Sequence, residues 1–294
     1  MTLLEQVELV RPATLPEALA ALAGPGARPL AGGTDLMNGL RLGATDATTV
    51  VDVTGVPELR VLDDGDPVRI GAAVTVRELR MRPGLPARLP ALADAAALLG
   101  GRQIQAAATV GGNLCNASPA AELATPLLVL GATAFVAGAN GERQHALAEL
   151  WAGPGRTVLA PGELLVRLDL PAGLDATASA YQRLELRRSV DIALVSASCW
   201  LQFEHDQVVA ARVAVGAVAP TPLLVPEAGA ELVGLSRRDE TAVAAACARA
   251  GAAASAAARP IDDIRASAEY RRAMTDQVVR RAVRRAIARG GDRR

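Results

Sequence analysis

Apolar positions recur at helical spacing in TLPEALAAL (Thr14 to Leu22), where Thr14 and the Glu three residues later form a helix-start pattern. The apolar run ARPLAG then predicts a short buried strand. TDLMNGLRLG predicts a helix that ends at Gly43, and the β-branched ATTVVDVTG predicts a second strand. Helix, strand, helix and strand in this order are typical of a small α/β unit.

A second unit follows, because DPVRIGAAVTVREL alternates and then turns helical. LPALADAAALLGGRQIQ predicts a helix that Gly100 and Gly101 end. ATVGGNLCNASPAAELATPLLVLGATAFVAG predicts a Gly-rich loop, an apolar helix that starts at Ser118-Pro119, and a strand. ELLVRLDLP predicts a further strand, which stops at Pro171.

The pattern changes after about residue 176. Long alternating segments predict strands joined by a hairpin at EHDQ, and two Ala-rich segments, roughly 238–257 and 266–290, predict helices. Strands followed by helices indicate a separate α+β lobe.

The composition allows a large core. Of the 294 residues, 51% are hydrophobic and 21% are charged, which argues against disorder. The net charge is zero, so there is no general attraction to nucleic acid. Lysine is absent, and the C-terminal segment VVRRAVRRAIARGGDRR is either a phosphate-binding arm or, as we favour, the solvated face of a helix.

No metal site is expected in this chain. Its cysteines, Cys115, Cys199 and Cys247, lie far apart, whereas iron–sulfur clusters usually need four thiolates and zinc needs closely spaced ligands. Few cysteines, no signal-peptide pattern and no apolar run of ~18 residues together predict a cytoplasmic protein without a membrane span.

Two glycine-rich segments carry the candidate chemistry. In AGGTDL the glycines allow main-chain N–H groups to approach a phosphate, with the Thr34 hydroxyl beside them, although the same turn could be purely structural. ATVGGNLCNASPAAEL again places glycines before polar side chains: Asn113, Asn116, Ser118 and Glu122. Two such loops roughly 75 residues apart are more typical of a dinucleotide cradle than either loop alone.

The charged segment YQRLELRRSVDIALV is open to two interpretations, an exposed strand or a ligand edge. No nucleophile–base pair, P-loop or metalloprotease motif is present. A protein that binds a dinucleotide and supplies no acid–base chemistry leaves the reaction to the cofactor.

AGGTDL followed by TVGGNLCNASPAAELATPLLVLGA strongly resembles the FAD-binding medium subunit of the molybdenum hydroxylases, the xanthine dehydrogenase and carbon monoxide dehydrogenase family. PGELLVRLDLP, YQRLELRRSVDIALV and RASAEYRRAMTDQVVRRAVRRA continue the resemblance over essentially the whole chain. It implies an α+β fold: two small α/β lobes, 1–56 and 57–175, form an FAD-binding domain of the PCMH/VAO type, and 176–294 form a C-terminal lobe with helices on one side of a sheet.

The resemblance also implies an electron-transfer role. FAD would be held by this chain, molybdopterin-bound molybdenum by a large subunit, and two [2Fe–2S] clusters by a small subunit. Electrons would pass from molybdenum through the clusters to FAD and on to an external acceptor. A dimer of heterotrimers is the expected assembly.

Site residues follow from the resemblance by position. The pyrophosphate segment would be Pro29, Leu30, Ala31, Gly32, Gly33, Thr34, Asp35 and Leu36. Thr109, Gly112 and Asn113 would form the second phosphate-side loop. Glu122 would hold a ribose or neighbouring group, Leu99 would lie against adenine, and Leu164 or Leu165 would supply a backbone contact.

Two further residues would act near the flavin ring. Arg183, where the family often has Lys, could interact with it, and the loop from Glu185 to Asp191 could influence access for the acceptor. Cys115 is interpreted as a packing residue or, if exposed beside the flavin, an oxidisable thiol.

Two other functions stay open. One is a stand-alone flavoprotein oxidase or dehydrogenase with the same fold, and the other is a nucleotide-sensing or assembly module without turnover. A partnerless protein should lack a large apolar patch near the flavin edge.

Overall fold

Three larger β-sheets organise residues 7–174, 177–187 and 190–291, which are the residues that this computed structural model describes. The first sheet is parallel, in the order β1-β3-β2. Its strands are β1 (Glu8–Val10), β2 (Ala27–Leu30) and β3 (Thr49–Asp52), and its helices are α1 (Leu15–Leu22) and α2 (Leu36–Arg41). The predicted helix–strand–helix–strand order is therefore present.

The start of α1 has the predicted capping arrangement. The Thr14 hydroxyl accepts a hydrogen bond from the Glu17 amide, and the Glu17 carboxylate accepts one from the Ala13 amide at 2.8 Å. These two bonds satisfy main-chain donors that the helix itself cannot satisfy.

The second sheet is antiparallel, in the order β4-β5-β10-β6-β7. Its strands are β4 (Leu62–Asp63), β5 (Arg69–Gly71), β6 (Thr133–Gly138), β7 (Gly141–Ala146) and β10 (Leu164–Asp169), with a small separate pair, β8 (Trp151–Gly153) and β9 (Arg156–Thr157). The helices are α3 (Val76–Met81), α4 (Leu85–Arg88), α5 (Pro90–Leu98), α6 (Arg102–Ala107), α7 (Val110–Cys115) and α8 (Ala124–Val129).

The segment around the second pair of glycines differs from the prediction. The glycines are not in a loop but in the first turn of α7, which Thr109 caps by accepting a hydrogen bond from the Gly112 amide. The helix predicted to start at Ser118-Pro119 begins only at Ala124, so that prediction was wrong. Residues 118–123 instead form turns, and the Asn113 side chain accepts a hydrogen bond from the Leu123 amide, a non-local contact that no short-range pattern reveals.

The third sheet is antiparallel, in the order β11-β12-β13-β14. Its strands are β11 (Thr177–Leu184), β12 (Val195–Glu204), β13 (Gln207–Gly216) and β14 (Leu223–Leu224), followed by α9 (Pro226–Ala230), α10 (Glu240–Ala257) and α11 (Ala268–Gly291). The hairpin between β12 and β13 lies at the predicted position. Helix α11 packs on one face of this sheet, and α5 and α8 of the preceding segment contact β11, β12 and β13.

Each of the three larger sheets takes its strands from one of the three predicted segments, but the boundaries themselves stay predictions, and the one between residues 175 and 176 lies outside the described residues. One continuous core joins the first two sheets and includes Tyr181 and Trp200 of the third. In the part of the chain that the structure describes, no helix combines the length and apolar character needed to cross a membrane.

Asp94 on α5 ties the second segment to the third. Its carboxylate accepts hydrogen bonds from Arg285 at 2.9 Å, from Arg289 at 2.7 and 2.9 Å and from the Tyr181 amide at 3.2 Å. The Asp94 side chain is only 13% exposed, so its charge is largely withdrawn from water. Removing it would leave two arginines and one amide without their shared acceptor.

We therefore expect Asp94→Ala to lower the free energy of unfolding by about 2–4 kcal/mol, as for other broken, largely buried ion pairs. Glu231→Ala is the matched control, because it removes the more exposed pair with Arg249 and should cost less than about 1 kcal/mol. Urea unfolding of both variants measures the difference. Equal losses in the two variants would contradict the proposed role of Asp94 as an anchor.

Candidate cofactor-binding site

A cavity of about 1000 Å³ lies between the three sheets and their helices. This volume is at the upper end of the range of roughly 300–1000 Å³ that is usual for cofactor and ligand pockets. All three segments contribute to its wall: the turn after β2, the α6–α7 region with the following turns, and the loop after β11. Residues far apart in the sequence thus line one open cavity.

The first glycine turn, residues 31–35, connects β2 to α2 on this wall. A Cβ atom on Gly32 would lie 2.0 Å from the carbonyl oxygen of Ala107, so only glycine permits this turn to contact the end of α6. Gly33 has a φ of +67°, a left-handed conformation that glycine adopts without strain. The two glycines therefore serve different purposes, close approach at the first and backbone conformation at the second.

Main-chain donors of this turn are unused by the protein. Within the described residues, the N–H groups of Gly32, Gly33 and Thr34 have no protein acceptor. Adjacent amides without acceptors beside a cavity fit the oxygen atoms of a phosphate. The first loop therefore has the properties that the sequence predicts for a pyrophosphate contact.

The second glycine segment offers a different kind of contact. The amides of Val110 and Gly111 donate to the carbonyls of Val74 and Ala72, and the amide of Gly112 donates to Thr109 Oγ1. The amide of Asn113 donates to the Thr109 carbonyl. Because these donors are engaged within the protein, this segment can present side chains to a ligand but no free amides at these positions.

Glu122 lies in the turns before α8 and lines the cavity, and residues of the third sheet contact its carboxylate. Its Oε2 accepts a hydrogen bond from the Tyr181 hydroxyl at 2.9 Å, and its Oε1 lies 3.0 Å from Nη1 of Arg183. Arg183 also pairs with Glu185. Burial raises the pKa of Glu122, while the Arg183 charge and the Tyr181 hydroxyl oppose that shift.

The loop after β11 is held by Asp191 at the edge of the cavity. One carboxylate oxygen accepts from the amides of Leu186 at 2.9 Å and Arg187 at 3.1 Å, and the other accepts from the amide of Ile192. Burial would raise the pKa of Asp191, but these amide hydrogen bonds outweigh it and lower the pKa below its ordinary value. Asp191 thus ties Leu186 and Arg187 to the start of the following segment; Arg188 and Ser189 lie outside the described residues.

Most of the predicted site residues line this one cavity. They are Pro29, Ala31, Gly32, Gly33, Thr34, Asp35, Leu36, Leu99, Thr109, Gly112, Asn113, Glu122, Leu164, Leu165 and Asp191. Leu30 and Arg183 are not on the wall. Leu30 packs beside the small core of Leu40, Ala47 and Val50, and the Arg183 side chain is turned toward the two glutamates.

The sequence did not point to several wall residues. Ile104 lies at the start of α6, and Arg265 comes from the connection between α10 and α11, where Asp263 pairs with it. Burial raises the pKa of Asp263, but amide hydrogen bonds from residues 265 and 266 and the pair with Arg271 lower it to about 2. No local pattern marks Arg265, since only the docking of the third segment brings it to the cavity.

Cys115 lies on the cavity wall and is half-buried. Burial raises the pKa of its thiol to about 12. The reactive thiolate is therefore scarce near neutral pH, which favours the packing interpretation over a redox thiol. Among the described residues, no group of three or more His, Cys, Asp or Glu is placed to hold a metal ion.

Comparison with known families gives two matches that together cover most of the chain. Residues 5–173 match the family described as FAD binding domain in molybdopterin dehydrogenase. Residues 179–286 match the CO dehydrogenase flavoprotein C-terminal domain.

Individual relatives are similar over most of their length. The carbon monoxide dehydrogenase medium chain of Afipia carboxidovorans is 34% identical, over 95% of this chain and 96% of that protein. A xanthine dehydrogenase FAD-binding subunit of Escherichia coli is also 34% identical, over 72% of this chain and 74% of that protein.

Solved structures agree with these similarities. A reconstituted CO dehydrogenase from Oligotropha carboxidovorans superposes with a TM-score of 0.89 at 33% identity, covering 96% of this chain and 98% of that chain. Quinoline 2-oxidoreductase from Pseudomonas putida gives a TM-score of 0.87 at 29% identity, covering 98% of each chain. The chain therefore belongs to the FAD-binding medium subunits of the molybdenum hydroxylases, a family of oxidoreductases, and FAD is its cofactor.

Proposed function

We propose that this chain is the FAD-carrying electron-transfer subunit of a heterotrimeric molybdenum hydroxylase. It would accept electrons from the [2Fe–2S] clusters of a small subunit and pass them to an external acceptor. Hydroxylation would take place at molybdopterin-bound molybdenum on a large subunit. The observation that carries this proposal is the cavity between the three segments, with the unpaired amides of the Gly32–Thr34 turn on its wall.

The residues present fit FAD. The amides of the first glycine turn would hold the pyrophosphate, Glu122 would accept hydrogen bonds from sugar hydroxyls, and Leu99 would contact adenine. Bound FAD supplies one- and two-electron chemistry, which suits a junction between clusters and an acceptor. The protein's own part is to bind, orient and shield the cofactor.

Exposed aliphatic side chains near the cavity mouth favour a subunit with partners over a stand-alone flavoprotein. Ile104, Val190 and Ile192 line the cavity and are each at least 40% exposed. Leu186 and Ile264, which adjoin wall residues in sequence, are 64% and 100% exposed. We call these five residues the apolar rim. Exposed apolar side chains beside a cavity are typical of surfaces that bind another protein.

The substrate would be selected on the large subunit, so it is not encoded in this cavity. Relatives of the carbon monoxide and xanthine dehydrogenase branches are equally identical in the segments that they match. The dimer of heterotrimers and the cytoplasmic location are carried over from the family and the sequence as predictions.

Purification of the natural complex tests this proposal. A tagged chain should co-purify with one large molybdenum-containing subunit and one small iron–sulfur subunit, and should show the visible absorption of oxidised flavin. A homogeneous flavoprotein without partners that turns over a substrate would favour the stand-alone alternative. A chain without flavin would favour the nucleotide-sensing module.

Gly33→Val should release FAD. A β-branched side chain at a φ of +67° forces the turn to move, which displaces the unpaired amides beside it. We expect FAD affinity to fall by about tenfold or more, equivalent to about 1.4 kcal/mol. Gly84→Val is the matched control, since Gly84 has a φ of +79° with nothing within 4 Å of its Cβ position and lies away from the cavity wall. Equal flavin loss in both variants would show that general backbone strain is responsible.

Asp191→Ala should alter electron transfer to the acceptor more than FAD content. The substitution removes the acceptor for three loop amides, each worth about 1 kcal/mol, and so loosens the loop at the cavity edge. We expect the reoxidation rate to change about threefold or more while the flavin-to-protein ratio stays constant. Asp191→Asn keeps one acceptor oxygen and should be intermediate. Parallel losses of flavin and rate would contradict this role.

Ile264→Asp should weaken binding of the iron–sulfur partner. A carboxylate buried in an apolar contact must be desolvated without a partner, so we expect about tenfold less small subunit to be retained in pull-downs at constant flavin content. Val233→Asp is the control, because Val233 is also exposed, at 53%, but is not part of the apolar rim. If the two variants retain the partner equally, the rim is not the docking surface.

A further inference from the structure

Arg183 lies on the side of Glu122 that faces away from the cavity. Its side chain is only 4% exposed, and its guanidinium pairs with Glu122 and with Glu185 rather than reaching the wall. Glu122 therefore lines the cavity at this point, and the guanidinium of Arg183 lies on the far side of its carboxylate. This arrangement differs from the expectation that Arg183 itself interacts with the flavin.

Among the residues that the structure describes, this cluster has one cation for two carboxylates. The ionisable groups that face Glu122 are Tyr181 and Arg183 on β11 and Glu185 immediately after it. Burial of Glu122 favours its neutral form, and Glu185 adds a like charge. Arg183 is the positive charge of this cluster, so the ionised state of Glu122 depends on it.

We propose that Arg183 is a positioning residue that keeps Glu122 ionised and oriented on the cavity wall, and that Glu122, rather than Arg183, contacts FAD. The Tyr181 hydroxyl donates to one carboxylate oxygen, and the guanidinium charge lies 3.0 Å from the other, which leaves lone pairs of the carboxylate for hydroxyl groups of the cofactor. The proposal rests on FAD being the ligand of this cavity.

An indirect role of Arg183 through Glu122 and a direct contact with FAD predict different FAD affinities for a variant that lacks both side chains. If Arg183 acts through Glu122, its removal costs FAD affinity only while the carboxylate is present. If Arg183 bound FAD directly, its removal would cost affinity in either background. A double-mutant cycle separates these cases because it measures the coupling of the two side chains.

The experiment titrates the flavin-free full chain with FAD and follows quenching of flavin fluorescence. Near neutral pH we expect Glu122→Gln and Arg183→Met each to lower the affinity by about tenfold, and the double variant also by about tenfold instead of a hundredfold. Arg183→Lys supplies another cation and should stay within about threefold of the wild type. Arg183→Gln repeats the cycle, so that a folding defect of the methionine variant leaves the comparison intact.

The pH profile gives a readout that a purely structural role would not change. Without Arg183, the pKa of Glu122 should rise further above its ordinary value, so the loss of FAD affinity on acidification should begin at a higher pH in Arg183→Met than in the wild type. The double variant, which lacks this carboxyl group, should show no such shift.

Additive losses in the double variant, or a pH profile of Arg183→Met that coincides with that of the wild type, would overturn the positioning role. Failure of the wild-type chain to bind FAD would instead contradict the proposed function, so the two failures are distinguishable.

Discussion

The contact between Gly32 and the carbonyl of Ala107 is the constraint on which the cavity depends. With a distance of 2.0 Å from a hypothetical Cβ, no side chain can be accommodated there without separating the first turn from the end of α6. This approach joins the parallel sheet of the first segment to the helices of the second. The cavity wall is therefore continuous where the unpaired amides lie, and the packing of Gly32 against α6 sets the position of that turn.

The third segment completes the cavity by docking through buried polar groups as well as apolar ones. Thr125 and Ser198 share a 2.9 Å hydrogen bond, and the Ala91 amide donates to the Ser179 hydroxyl. Together with the cluster around Glu122, these bonds fix how the sheet lies against α5 and α8. Buried polar groups are costly when unpaired, so they favour the docked arrangement in which their partners are present over a slipped one.

Much of this architecture could be predicted from the sequence because its signals are local. Thr14 and Glu17 predict the start of α1, and the alternation of apolar and polar residues around EHDQ predicts the hairpin of β12 and β13. The glycine segments and Glu122 could be placed because their order resembles a known family. The helical state of Val110–Cys115 could not, since glycines ordinarily disfavour helices and the segment is held by contacts with Ala72 and Val74.

The direction in which a charged side chain points also depends on tertiary packing, which the sequence alone does not reveal. Position in the sequence suggested that Arg183 reaches the cofactor, yet alternation along β11 and the docking of Glu122 determine where the guanidinium points. In a buried cluster, the residue that touches the ligand and the residue that sets its charge can be different, because electrostatic control acts through a neighbour. In this chain, the second segment would supply the residue that contacts the cofactor, Glu122, and the third segment would supply the positive charge that acts on it, Arg183. Docking of the third segment then becomes a condition for a correctly charged cofactor site as well as for its closure.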